Sequence, residues 1–116
     1  MAGVEDRIQT ECIRWFGLQY PSISRLLHHS PNGGRRDYLE AVKFKRMGVR
    51  AGFPDLFLYV PRKGYHGLAI ELKTDTGKQQ KTQKEMQLFL EGQGYKYLVV
   101  RSVESFIAEV NGYLRA

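Results

Sequence analysis

Hydrophobic positions along the chain follow two spacings, and each change of spacing marks an element. From Val4 to Gln19, Ile8, Cys12, Trp15 and Phe16 recur at helical intervals, while Arg7, Thr10 and Arg14 fall on other faces. That predicts an amphipathic helix. The segment from Pro21 to Arg36 has no clear period. Ile23–Leu27 reads as a short strand or turn, and His28, His29, Ser30, Asn32 and the Gly33-Gly34 pair read as a polar loop. Residues 36–47 predict a second helix with a partial stripe of Leu39, Val42 and Met47, an Asp37 N-cap and a Gly48 C′ glycine. The period then shortens. Asp55 to Pro61 and Tyr65 to Lys73 predict two buried strands joined by a hairpin-like turn at Arg62-Lys63-Gly64. A third helix is expected over residues 79–92, with Gln83, Met86, Gln87 and Leu90 on one side. A buried strand over 95–101 should lie beside the Glu71 strand. A last helix, capped by Ser102, carries Val103, Phe106, Ile107, Val110 and Leu114. The expected order is α-α-β-β-α-β-α, an α/β chain with a mixed sheet flanked by helices. The third helix is long enough for a right-handed parallel crossover.

Candidate chemistry sits at the ends of the two middle strands. Pro54-Asp55 precedes the first, and Glu71-Leu72-Lys73 closes the second after fifteen intervening residues. Side chains alternate along a strand, so Glu71 and Lys73 should share one face and Leu72 the other. Two carboxylates and a lysine on buried strands are costly unless partnered, and a divalent cation is a natural partner. Carboxylate oxygens are hard ligands suited to Mg²⁺. A bound cation activates water and offsets charge on a phosphate, which suits phosphodiester hydrolysis. Lys73 would orient or activate the attacking water and offset developing charge. The plainer alternative is a strand-end salt bridge between Glu71 and Lys73, with Asp55 as a turn residue. The flanking apolar strands and the basic chain favour the cation site.

Charge extends the same picture. Eighteen Lys and Arg against twelve Asp and Glu give +6 and an isoelectric point near 9.6, a balance that suits a polyanionic partner. Lys43, Lys45, Arg46 and Arg50 cluster just before Asp55, either as a phosphate-tracking surface or as a solvated helix face. The 116 residues suit one domain, with 42% apolar content and a single cysteine, Cys12, that fits a reducing compartment. No apolar run approaches membrane-spanning length and MAGVEDRIQTE lacks a signal-peptide core, so a soluble cytoplasmic protein without membrane contact is expected. The glycines match no phosphate-loop spacing.

GVRAGFPDLFLYV followed by AIELK resembles the PD-(D/E)XK nuclease superfamily, and within it the VRR-NUC (virus-type replication-repair nuclease) branch. Glu5 and Ile8-Gln9, Pro31-Asn32-Gly33-Gly34, Gly48, Gly52, a later helical Gln and GYKYLVVRSVESF fall in the same order, so the resemblance spans nearly the whole chain. It implies a restriction-endonuclease-like fold and a Mg²⁺- or Mn²⁺-dependent endodeoxyribonuclease. Asp55, Glu71 and the backbone carbonyl of Leu72 would be the metal ligands. Lys73, Glu5 and Gln83 would complete the catalytic set, and Asn32 would contact DNA. Helical phase also places Glu5, rather than Glu11, with Ile8 and Cys12 towards the interior. A Glu complementing the helix dipole is the alternative.

Stand-alone members of this type are associated with homodimers that resolve four-way DNA junctions. The resemblance therefore implies a homodimeric Holliday-junction-type resolvase of DNA repair, in a bacterial cytoplasm with a phage or prophage as alternative source. Ile23, Leu26, Leu27, Tyr38 and Phe44 are the candidates for a shared interface. The competing readings are a nuclease acting on flaps or DNA ends, a catalytically inactive DNA-binding module, and a basic interaction protein.

Overall fold

Leu68–Leu72, the apolar run that contains Glu71, is a strand buried at every position, and the other elements cover its two faces. The computed structural model describes residues 3–31 and 37–115. In chain order the elements are α1 (Val4–Gln19), a 3-10 helix (Pro21–Leu26), β1 (Leu27–His29), α2 (Tyr38–Arg46), β2 (Leu56–Leu58), β3 (Leu68–Leu72), α3 (Lys81–Gly92), β4 (Lys96–Val100) and α4 (Val103–Leu114). The strands form one sheet in the order β1-β2-β3-β4. The first two pairings are antiparallel, and β3 with β4 is parallel across α3. This is a mixed sheet flanked by helices, a restriction-endonuclease-like fold.

Register assigns the two faces. Leu56 pairs with Ile70 and Leu58 with Leu68, while Ile70 pairs with Leu98 and Leu72 with Val100. Leu56, Leu58, Leu68, Ile70, Leu72 and Val100 thus point one way, into a core closed by Cys12 and Phe16 of α1 and Phe106, Val110 and Tyr113 of α4. Trp15 meets Phe106 edge-on at 6.0 Å, a favoured aromatic geometry. The Tyr113 hydroxyl donates to the Val60 carbonyl at 2.6 Å, so this buried polar tip is satisfied. The opposite face carries Phe57, Ala69, Glu71, Tyr97 and Val99, and α3 lies on that side.

Capping follows the expected chemistry. The Asp37 side chain accepts from Glu40 N–H at 2.8 Å, and Ser102 accepts from Ser105 N–H at 3.1 Å. Lys63 and Gly64 both have positive φ, +53° and +84°, the pairing that a tight two-residue hairpin turn requires. Gly52 has φ +89°, and a Cβ there would collide with the Thr82 carbonyl. This glycine lets the loop before Asp55 lie directly against the first turn of α3.

Four expectations are corrected. A strand, β1, stands where the sequence suggests a polar loop at His28 and His29, so the order gains one strand between the first two helices. It is a three-residue edge strand whose existence depends on pairing with β2. The predicted strands also overrun, because only 56–58 and 68–72 join the ladder. The third helix starts at Lys81 rather than Gln79, since Gln80 is its extended N-cap. Ile23 and Leu27, offered as interface residues, pack against the chain's own core. Among the described residues, no helix is long and apolar enough to cross a membrane.

Cys12 is fully buried, and that burial, with the Glu11 charge adding to it, pushes its thiol up to about 12 from 9.0. The native thiol therefore stays protonated where an unfolded chain ionises. Its contribution to stability is complete below about pH 9 and is lost as pH rises towards 12. At pH 8, iodoacetamide should label Cys12 only in step with global unfolding, as denaturant-dependent mass spectrometry would register. Rapid labelling of native protein would contradict this.

Candidate functional site

Asp55 is fixed from two sides. Its backbone carbonyl accepts from Ser30 N–H at 3.0 Å and from His29 Nδ1 at 2.9 Å, which requires that ring nitrogen to carry the proton. Its Oδ2 accepts from the Leu72 N–H at 2.7 Å. The carboxylate of one strand start is thereby tied to the end of the neighbouring strand, between Glu71 and Lys73. His29, which the sequence places in a loop, helps to hold this corner through the backbone.

Glu71 is wholly buried, the one fully buried charged residue among those described. Its two oxygens have different surroundings. Oε1 accepts from the Tyr97 hydroxyl and from Gln79 Nε2 at 3.3 Å. Oε2 has no hydrogen-bond partner, and Lys73 Nζ lies 3.9 Å from it. An unpartnered buried carboxylate oxygen is costly, and such an atom calls for a water, an ion or another partner to satisfy it. Burial first, and then the hydrogen bond to Glu71, push the Tyr97 phenol well above its usual range, so it remains a protonated donor.

A cavity of about 330 Å³ opens beside this corner, lined by Glu5, Gly52, Asp55, Leu72, Lys73 and Gln83 among others. Glu5 is therefore brought to the site, and Glu11 does not line the cavity. The expectation that Glu5 points into the interior is corrected, however. The first turn of α1 is exposed, and Glu5 stands in that turn, at the cavity's margin. Gln83 also reaches the cavity, but its Oε1 already accepts from Gln80 N–H at 2.7 Å and caps α3. Its NH₂ takes no part in that cap. A larger cavity of about 390 Å³, lined by Phe57, Tyr59, His66 and Tyr95, lacks carboxylates altogether. The smaller one gathers Glu5, Asp55, Lys73 and Gln83.

The basic residues form a separate surface. Lys43, Lys45 and Arg46 are exposed on α2, and Arg50 is exposed just after it, with Nη1 donating to the Lys45 carbonyl at 3.2 Å. Arg50 and Phe53 line a further cavity, and Phe53 also lines the one containing Asp55, so the two adjoin. Asn32 lies outside the described residues. Tyr97 and Gln79 were not foreseen from the sequence. The one available signal was an aromatic residue within the otherwise aliphatic LVV strand.

Among the described residues, no group of three or more His, Cys, Asp or Glu side chains converges as a metal cage. Mg²⁺ does not need one, because it binds through one or two carboxylates and retains several waters. The Asp55 carboxylate, the unpartnered Glu71 Oε2 and the Leu72 carbonyl are oxygen donors of the right hardness for it. These residues fit such a cation.

The VRR-NUC domain family matches residues 4–104. A solved structure described as a VRR_NUC domain protein is 34% identical, with a TM-score of 0.85, covering 99% of this chain and 91% of that one. Among curated proteins, none matches the chain. With the fold, the buried acidic corner and these matches in agreement, the chain belongs to the VRR-NUC domain family, whose domain implies a nuclease-type role in DNA processing.

Proposed function

We propose that the chain is a metal-dependent, structure-selective DNA endonuclease, one nuclease domain over residues 1–116, that cuts four-way junctions as a homodimer. The observation that carries this reading is the wholly buried Glu71 carboxylate, with one oxygen unpartnered beside Lys73 and next to the anchored Asp55. Asp55, Glu71 Oε2 and the Leu72 carbonyl would hold Mg²⁺ or Mn²⁺. When bound there, such a cation would supply water activation and charge neutralisation at the scissile phosphate. Lys73 Nζ–H donates to the attacking water and orients it. The Gln83 NH₂ donates to a phosphate oxygen, and Glu5 at the margin accepts from water. Lys43, Lys45, Arg46, Arg50 and Asn32 would hold flanking phosphates, positioning DNA without reading sequence.

Dimerisation has its own support. No residue of α2 is buried, and Tyr38 and Leu39 are 80% and 77% exposed, with Met47 and Val49 exposed alongside. An apolar surface of this kind suits a second copy more than solvent. Leu26, Tyr38 and Phe44 are the remaining candidates for that interface, whereas Ile23 and Leu27 pack against the chain's own core.

Four-way junctions should be cut on two opposed strands with Mn²⁺ and left intact with EDTA. Light scattering should give about twice the 13.4 kDa chain mass. A monomer that cuts flaps as readily as junctions would overturn the junction and dimer claims, and a chain inert on every DNA would overturn the nuclease claim. Glu5→Gln should slow cleavage by about tenfold and Glu11→Gln should leave it unchanged, in keeping with the size of an outer contact to a metal site. Equal, near-wild-type rates would remove Glu5 from the mechanism.

A further inference from the structure

We propose that Tyr97 and Gln79 are positioning residues that restrict Glu71 to a one-oxygen metal ligand and thereby set which cation the site prefers. This rests on the metal-dependent reading above. The terminal torsion of a glutamate is broad and nearly two-fold, so nothing intrinsic distinguishes its two oxygens. Here the surroundings distinguish them. Tyr97 is two residues before Val99, which pairs with Glu71 across the parallel β3–β4 ladder, so its ring lies on the face of the Glu71 side chain. Its hydroxyl and the Gln79 amide both donate to Oε1, leaving Oε2 as the oxygen available on the Lys73 side.

The Gln79 amide is itself oriented. Its Nε2 donates to Glu71 Oε1 at 3.3 Å and to Gln87 Oε1 at 2.9 Å, so both partners are acceptors and the amide cannot flip without losing both bonds. Gln87 Nε2 donates in turn to Glu91 Oε2 at 3.3 Å, one helical turn along α3. Gln79 thus donates in two directions, directly to the Glu71 carboxylate and, through Gln87, towards the Glu91 carboxylate, and the head-to-tail arm through Gln87 holds its amide in place. The buried phenol completes the grip from the other side. With Oε1 so engaged, Glu71 cannot close onto a cation with both oxygens. Mg²⁺ and Mn²⁺ accept single-oxygen carboxylates in octahedral sites, whereas Ca²⁺ readily takes bidentate ones. The relay therefore favours the smaller cations over Ca²⁺.

Calorimetric titration of the full chain with Mn²⁺ and with Ca²⁺ tests this, with the variants Tyr97→Phe and Gln79→Leu. Tyr97→Phe should weaken Mn²⁺ binding by about tenfold, the lower range for losing an outer partner of a metal ligand. It should weaken Ca²⁺ binding less, so the Mn²⁺-over-Ca²⁺ preference falls. Gln79→Leu, at a half-buried position outside the helix, should move the ratio the same way and supplies the readout if the strand variant does not fold. A purely structural role would weaken both ions by one factor. Such a result, or wild-type affinities in both variants, would overturn the proposal. Asp55→Asn separates the two levels of inference. Loss of both ions in Asp55→Asn with an unchanged ratio in the relay variants sinks only the relay. Absence of Mn²⁺ binding by the wild-type chain sinks the metal-dependent reading and the relay with it.

Discussion

Asp55→Asn should lower cleavage by about a thousandfold or more while leaving the protein folded, and Asp55→Ala should lose both activity and stability. The difference lies in a second task of this carboxylate, acceptance of the Leu72 N–H at 2.7 Å. Asparagine keeps an oxygen for that bond and removes the charge. Alanine leaves a part-buried backbone donor unpaired, at a cost of about 1–3 kcal/mol. From sequence alone, removing Asp55 should leave the fold intact or even relieve it, because only the crowding of carboxylates is visible there; the bond to Leu72 reverses that sign. Lys73 offers the complementary case. Lys73→Ala should also abolish cleavage, yet retain Mn²⁺ binding, because an ammonium group contributes to the chemistry and not to ligation. Calorimetry on the two variants separates the roles. Lys73→Ala losing Mn²⁺ as completely as Asp55→Asn would end the case for Lys73 as the residue that orients water.

What could be read in the chain beforehand follows from which signals are local. Ile8, Cys12 and Phe16 state their helical period within α1, and Phe106 and Val110 do so within α4, so those elements and their inward faces were legible. The alternation around Glu71 placed it opposite Leu72, as found. Signals that depend on a partner were not legible. β1 is a strand only because Leu27, His28 and His29 pair with β2, and nothing in LHH announces it. Tyr97 meets Glu71 only in one register of a parallel pair joined by a crossover, and Gln79 only because α3 begins after its N-cap Gln80 and leaves Gln79 outside the helix. Glu5 shows a third limit. Its phase on the helix was right, but its turn lies where nothing covers it, so a residue in phase with the core stands at a cavity's edge.

Glu71→Gln should remove nearly all of the thermal stabilisation that Mn²⁺ gives the wild-type protein. A cation that binds the folded state alone stabilises it by about 2.7 kcal/mol at a hundred times its dissociation constant. For a chain of this length that corresponds to a rise in Tm of roughly 10 °C. Glutamine is nearly isosteric, and its carbonyl can still accept from Tyr97 and Gln79, so the substitution keeps the bonds at Oε1. It replaces the unpartnered Oε2 by an NH₂ group facing Lys73 Nζ, which lies 3.9 Å from that atom in the native side chain. A donor there cannot ligate a cation and gains no partner of its own. Without added metal the variant should therefore melt within a few degrees of wild type, since one unsatisfied polar atom stands in place of another. Cleavage should fall by at least about a hundredfold, more than for an outer contact to the same site. Calorimetric scans with EDTA and with saturating Mn²⁺ give the four melting points required. A Glu71→Gln protein that keeps the full Mn²⁺-dependent rise would show that the cation is held elsewhere, and the buried carboxylate would then be only the anchor of Tyr97 and Gln79.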